Sequence, residues 1–349
     1  MNATVRPSNT GERTWLSVDL EPVLSGTWRP AQPTVGRRND GIGLFYPRKI
    51  NTVAAESEAG KTWLMLAVAF DELRAGNSVL YIDFEDDEGS VVGRLLALQA
   101  SPNWVRERFC YLRPTEALGV NDNLNDLCKL VMAYRPTLAV VDGVTESMTL
   151  HGLDPLSNRD VAAFCRILPR RLAAAGCATV CLDHVVKSTE ARGRYALGGV
   201  HKLNAVDGCA LILESREPFG IGLTGRSAIL IAKDRPGMLR KYGQRRKDGL
   251  DHFADLEVTS HDRSYNEFEI RPARDTDREF RPTHLMRRIS EVLQERGAMS
   301  QRQIIATVGG RRQYAIDALA LLQRDGHVSD KSPHRLLRPF TDSDDGKES

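Results

Sequence analysis

The sequence lacks any apolar run approaching the ~20 residues that a membrane-spanning helix requires. Its first fifteen residues, Met1 to Trp15, are polar and hold no apolar core of a secretory leader, so a soluble cytoplasmic protein with no membrane contact is expected. Charge of one sign is lacking too. Lys and Arg number 48 against 46 Asp and Glu, a net of +2, so the global field selects no partner and only local clusters can. The six cysteines (Cys110, Cys128, Cys165, Cys177, Cys181 and Cys209) have no metal-finger spacing. Most sit in apolar runs, and Cys177-x3-Cys181 puts two on one face of an expected strand, where a reduced core role fits better than a disulfide.

What is present is alternation. At 349 residues the chain can bury a full α/β core and carry a second small domain. Residues 1–45, rich in Pro, Gly, Thr and Arg, read as an arm leaning on the core through Trp15, Leu16, Val18, Leu20, Leu24 and Trp28. Apolar strands are expected at 50–54, 78–83, 109–112, 138–141, 178–182, 210–213 and 228–231. Helices are expected at 63–75, 88–98, 124–134 and 158–175. Near-continuous apolar strands alternating with helices predict a mostly parallel sheet covered on both faces, with 254–259 and 267–270 added as antiparallel edge strands. The core is placed at 46–275.

A last domain is expected over 283–339. Leu285, Ile289, Val292 and Leu293 form one helical stripe, and Ser300 caps a second helix carrying Ile304 and Ile305. After Gly309-Gly310, Ile316, Leu319 and Leu322 place a third helix, and 327–337 can form a two-stranded wing around Pro333. The pattern predicts a winged helix, followed by a polar, disordered tail over 340–349.

The segment Ala55-Glu56-Ser57-Glu58-Ala59-Gly60-Lys61-Thr62 fits the phosphate-binding pattern [A/G]-x4-G-K-[S/T] between a strand and a helix that opens on Trp63. Successive backbone N–H groups of such a loop cradle phosphates, Lys61 reaches the β- and γ-phosphates, and the Thr62 hydroxyl ligates Mg²⁺. Ala55 in place of Gly is costly if its backbone is left-handed, by roughly 1–2 kcal/mol. Glu56 and Glu58 add negative charge beside a polyanion. Leu138–Asp142 is an apolar strand ending in a carboxylate suited to the Mg²⁺ shell, and 80–86 ends a strand in Asp83-Phe84-Glu85-Asp86, where Glu85 can deprotonate an attacking water. Asp86, Asp87 and Glu88 read as an acidic turn or the start of a helix.

The order of phosphate loop, Glu85, Asp142 and then Val180-Cys181-Leu182-Asp183-His184 resembles the RecA/KaiC-like P-loop ATPase core over about 45–270, nearest to hexameric RepA-type plasmid helicases and related phage and actinobacterial ATPases. That resemblance implies ATP and Mg²⁺ as ligands, His184 as a sensor of the γ-phosphate, and a hexameric ring of identical subunits. It also implies that Lys233 and Arg235, in Ala232-Lys233-Asp234-Arg235, enter the neighbouring subunit's site. Side chains two apart on an extended segment point the same way, so both can address one phosphate.

In such rings the loops after Asp142 and after His184 face the axis. The first, 143–158, has no Lys or Arg and carries Glu146, His151 and Asp154. The second carries Lys187, Arg192, Arg194 and Lys202, a backbone contact for single-stranded DNA. A further basic cluster is Arg240, Lys241, Arg245, Arg246 and Lys247, and the third C-terminal helix opens on Arg311 and Arg312, suited to DNA. The leading expectation is an oligomeric ATPase motor on DNA, a helicase or recombination ATPase of a mobile element. The alternatives are a KaiC-like regulatory ATPase and a DNA-bound scaffold with feeble turnover.

Overall fold

The computed structural model describes residues 16–185, 200–273, 283–308 and 312–340. Two compact units divide the chain, Met1–Ala273 and Arg274–Ser349.

In chain order the first unit contains α1 (Glu21–Leu24), β1 (Val35–Arg37), β2 (Gly43–Phe45), β3 (Ile50–Ala55), α2 (Lys61–Arg74), β4 (Val79–Asp83), α3 (Glu88–Ala97), α4 (Pro102–Arg108), β5 (Phe109–Leu112) and α5 (Asn123–Tyr134). Then follow β6 (Leu138–Asp142), α6 (Val144–Leu150), α7 (Asn158–Ile167), α8 (Pro169–Ala174), β7 (Ala178–His184), α9 (Val200–Ala205), β8 (Cys209–Glu217), β9 (Thr224–Asp234), β10 (Gln244–Arg245), β11 (Asp251–Ser260) and β12 (Asn266–Pro272). A 10-stranded sheet runs β10-β11-β9-β8-β3-β7-β6-β4-β5, with β12 beside β11. From β8 to β5 every pairing is parallel, while β9, β11, β10 and β12 extend that edge antiparallel. The expected mixed α/β core with a largely parallel sheet is therefore observed.

Side-chain alternation divides the interior in two. Val79, Tyr81, Val140, Val180 and Leu182 point to one face, where α2 lays Leu64, Met65, Ala67 and Val68 against them. Leu80, Ile82, Ala139, Val141 and Cys181 point to the other, under Val161 and Phe164 of α7 and Leu172 of α8. Both faces are covered, which is why these strands carry almost no polar residues. Cys177 and Cys181 lie in the second cluster, and no disulfide joins any of the six cysteines.

Four expectations change. Leu16, Val18, Leu20, Leu24 and Trp28 are exposed, between 56% and 79%, so this stretch does not lean on the core; Trp15 lies outside the described residues. Residues 35–45 are not arm at all: β1 and β2 form a hairpin whose Val35, Leu44 and Phe45 are buried in the first core. The helix expected over 158–175 is two helices, because Pro169 has no N–H to continue the ladder and starts α8 instead. The expected loop 143–158 opens with α6, whose Met148 is fully buried; its apolar spacing is too short to stand out as a periodic pattern.

The second unit holds α10 (Thr283–Arg296), α11 (Gln301–Val308) and α12 (Arg312–Arg324), packed through Met286, Ile289, Leu293, Ile304, Ala318, Leu319 and Leu322. Ser300 caps α11 reciprocally with Gln303, as its spacing predicts. Bridges Met299↔His334 and Val328↔Leu336 close the segment that follows α12. Of the expected tail, 340–349, Phe340 is instead buried in this core, its N–H donating to the Ser290 hydroxyl at 3.0 Å, and 341–349 lie outside the described residues.

One polar residue ties the centre of the sheet together. Asn51, on β3, is fully buried; its Oδ1 accepts from the Tyr46 and Cys209 N–H groups and its Nδ2 donates to the Tyr46 and Lys49 carbonyls. Asn51→Ala leaves buried backbone groups without partners. Urea unfolding should show a loss of about 3 kcal/mol.

Candidate nucleotide site

The site lies at the C-terminal ends of the parallel strands, where β3, β7, β6 and β4 end on Ala55, His184, Asp142 and Asp83. A cleft of about 910 Å³ opens there, lined by Ser57, Glu58, Gly60, Lys61, Thr62, Trp63, Glu85, Asp142 and His184 among others. The fold thus brings together four residues, Lys61, Glu85, Asp142 and His184, that are up to 123 positions apart in sequence.

The phosphate loop is shaped by two left-handed residues. Ala55 ends β3 in extended backbone and costs nothing; the positive φ angles fall on Glu58 (62°) and Gly60 (86°). At Gly60 a side chain is doubly excluded, since a Cβ would lie 2.6 Å from the ring of Phe219, which reaches over from the β8–β9 connection. Ser227 on β9 donates its hydroxyl to the Ala59 carbonyl and pins the loop from below. Glu58 is exposed.

Lys61 is the only cation among these four residues. Its Nζ donates to the Ala55 and Glu56 carbonyls, both at 3.3 Å, and stands 3.5 Å from His184 Nδ1. Burial lowers its pKa, and the charges of Glu85, Asp142, Asp183 and Glu146 pull the other way. Asp142 is buried and receives the Tyr81 hydroxyl at 2.6 Å. Burial raises its pKa to about 6, against the lowering effect of that hydrogen bond.

Asp83 is the strand partner of Asp142 and is fully buried. It holds the turn that carries Glu85: its Oδ1 accepts from the N–H groups of Glu85 and Asp86, both at 2.9 Å, and its Oδ2 from the Tyr111 hydroxyl at 2.9 Å. Asp87 caps α3 by accepting from Ser90 N, and Asp86 pairs with Arg94, so the acidic run is a helix start as expected. Glu85 Oε1 stands 3.6 Å from His184 Nε2. Burial pushes its carboxyl up to about 8, with the neighbouring Glu146 and Asp142 adding to the rise.

Among the described residues no group of three or more acidic, His or Cys side chains could hold a metal ion. Thr62 and Asp142 both line the cleft. This pair fits a Mg²⁺ that arrives with a nucleotide and takes its remaining ligands from phosphate and water.

Other expected residues fall elsewhere. Lys233 and Arg235 lie at the opposite end of the sheet: Lys233 pairs with Ala210, and the Arg235 N–H donates to the Gly208 carbonyl, level with Ile50 at the start of β3. Five strand residues separate that level from Ala55, roughly 16 Å, so the pair stands away from the phosphate loop of the same chain. Lys233 Nζ donates to the Leu203 carbonyl of α9 at 2.7 Å. The basic cluster beside it is largely neutralised: Arg240 and Arg245 pair with Asp251, and Arg246 with Glu214 and Asp248. His151 is structural, with Nε2 accepting the Leu118 N–H. Lys187, Arg192, Arg194 and Arg311 lie outside the described residues, as do the side chains of Lys202 and Arg312. Sequence reasoning missed Tyr81, Tyr111, Phe219 and the turn-holding role of Asp83. Alternation along β4 (Tyr81 and Asp83 on one face) was the only available signal.

Against known families, residues 27–190 match the AAA domain, just under half of the chain. The matched span contains Lys61, Glu85, Asp142 and His184, and it supports a P-loop, nucleotide-hydrolysing ATPase of the AAA type. No curated protein is similar enough to the chain to be matched with it. No described helix is long and apolar enough to cross a membrane.

The raised pKa of Glu85 makes stability fall with pH. Between its ordinary 4.5 and about 8 the folded chain keeps a proton that the unfolded chain has released. Asp142 adds the same sign between 3.8 and about 6. Chemical denaturation of the nucleotide-free protein should therefore show stability declining up to about pH 8, with the slope above about pH 6 flattened in Glu85→Gln. A second variant, Glu58→Gly, relieves a left-handed glutamate and should stabilise by about 1 kcal/mol.

Proposed function

We propose that the chain is an oligomeric ATPase motor acting on DNA, in which each nucleotide site is completed by Lys233 and Arg235 of a neighbouring subunit. One observation carries the reading. The site collects a phosphate loop, Lys61, a water-activating carboxylate and a Mg²⁺-suited aspartate at one end of the sheet, while the Lys233/Arg235 pair stands at the other. Placed so far from the loop of its own chain, the pair can address a γ-phosphate only if that phosphate belongs to a second copy. A trans arginine is worth roughly 10³–10⁵ in rate where such sites are known.

In this mechanism the loop N–H groups and Lys61 bind and orient the β- and γ-phosphates. Thr62 and Asp142 would hold Mg²⁺, which when bound would neutralise charge on the phosphates. Glu85, seated by Asp83, takes the proton of the attacking water once it has released the proton it keeps in the nucleotide-free chain, a release that a cation arriving with the nucleotide would favour, and His184, between Glu85 and Lys61, responds to the presence of the γ-phosphate. The three-helix unit with its bridged 328–336 segment is read as a winged helix that contacts DNA, alongside the segment after His184.

The motor reading favours single-stranded DNA and a ring, a hexamer by resemblance. Lys61→Ala and Arg235→Ala should each abolish ATP hydrolysis, and mixing the two proteins should restore part of it, because a fraction of interfaces then combines an intact loop with an intact finger. Wild-type turnover should rise on adding single-stranded DNA, and the assembly mass should be a multiple of the 38.8 kDa chain. No recovery on mixing would argue against the shared site. No effect of DNA would leave a regulatory ATPase.

A further inference from the structure

Glu146 stands in the first turn of α6, next to the residue pair that ends β6, and no role in the site has yet fallen to it. Its carboxylate and that of Glu85 converge on one point above Gly143. A Cβ placed on Gly143 would lie 2.0 Å from Glu85 Oε1 and 2.9 Å from Glu146 Oε2. The missing side chain at 143 is thus what lets a carboxylate from the β4 turn meet one from α6. The meeting is confined: Glu146 Oε2 is inaccessible to solvent, and the Glu85 carboxyl is its hydrogen-bonding neighbour, with no other donor to it among the described residues.

A buried acceptor without a donor costs about 1–3 kcal/mol. Two carboxylate oxygens in contact both accept, so neither satisfies the other until a proton or an amide donor lies between them. The arrangement is therefore not one that packing alone would favour. Glu85 is also bounded on its other side, with His184 Nε2 3.6 Å from the same Oε1 atom that faces Gly143. Lys61 acts electrostatically on both glutamates.

We propose that Glu146 is a positioning residue for the reaction: it fixes the carboxyl of Glu85 between Gly143 and His184, so that the water-activating group is held in one orientation before nucleotide arrives. The inference rests on Glu85 being the base of the proposed hydrolysis. Glu146 touches no phosphate in this account and acts only through Glu85. Its removal should leave nucleotide affinity intact and lower turnover, since an unsupported base samples orientations that cannot take the proton.

Two measurements on the full chain test this. In steady-state hydrolysis, Glu146→Ala should lower kcat by about 10-fold or more, a part of the roughly 10²–10⁴-fold that a general base contributes, with KM for ATP and the Kd for a fluorescent ATP analogue within about twofold of wild type. Glu146→Gln, whose amide can donate to Glu85, should recover most of that loss. A wild-type kcat in Glu146→Ala would overturn the proposal, and so would a fall in kcat matched by an equal fall in nucleotide affinity. The second measurement needs no turnover. The Tm shift caused by Glu85→Gln should differ by about 2 °C or more between the wild-type and Glu146→Ala backgrounds, because the two side chains hold each other. Additive Tm shifts would overturn the proposal even if the protein hydrolyses ATP. Coupled shifts in a protein that hydrolyses nothing would leave the contact standing and count against the ATPase reading alone.

Discussion

Two buried carboxylates lie side by side at the ends of adjacent strands, Asp83 on β4 opposite Asp142 on β6, and the rest of the site is arranged around them. Like charges so placed repel in a low-dielectric interior and must be supported by donors or neutralised. The chain does this with two tyrosines, Tyr81 donating to Asp142 and Tyr111 to Asp83, and with two backbone N–H groups of the following turn. Tyr81 and Tyr111 are themselves strand partners with stacked rings. What remains of the negative charge faces the cleft, where it draws Lys61 into the loop and suits a divalent cation. The division of labour follows: Asp83 is consumed in shaping the turn, which leaves Glu85 half-exposed at its crest.

The same constraint explains why the loop tolerates unusual residues. With Lys61 bonded to the Ala55 and Glu56 carbonyls, the loop closes on its own lysine, and the extended backbone at Ala55 needs no glycine. Glycine is required one turn later, at Gly60, where the chain goes left-handed under the ring of Phe219. The exposed Glu58 stands at the tip, away from the buried lysine.

Much of this was legible in the sequence, and the reasons differ by element. The parallel strands announced themselves because both faces are buried, and the loop because glycine, lysine and threonine are hard to substitute in a phosphate cradle. The hairpin at 35–45 was hidden by short strands and a glycine-rich composition, although Val35, Leu44 and Phe45 are core residues. The helix after Asp142 was hidden by its length, and with it the approach of Glu146 to Glu85. The basic 240–247 segment showed the opposite failure. Its arginines read as a basic cluster, yet Arg240 and Arg245 pair with Asp251 across the β10–β11 turn, and Arg246 pairs with Glu214, 32 positions earlier on β8, which no local pattern could join to it. Contacts between residues distant in sequence decide electrostatics, and composition does not report them.

The central claim is that the carboxylate and lysine cluster at the ends of β3, β4, β6 and β7 is a nucleotide site that uses Lys61 and a Mg²⁺ held by Asp142. Calorimetric titration of the wild-type protein, Lys61→Ala and Asp142→Asn with ATP, in Mg²⁺ and in EDTA, addresses it most directly. The wild type should bind Mg·ATP, Lys61→Ala should lose most of that affinity in both conditions, and Asp142→Asn should lose the difference between Mg²⁺ and EDTA. Wild-type affinity in Lys61→Ala, or an undiminished Mg²⁺ effect in Asp142→Asn, would contradict the account.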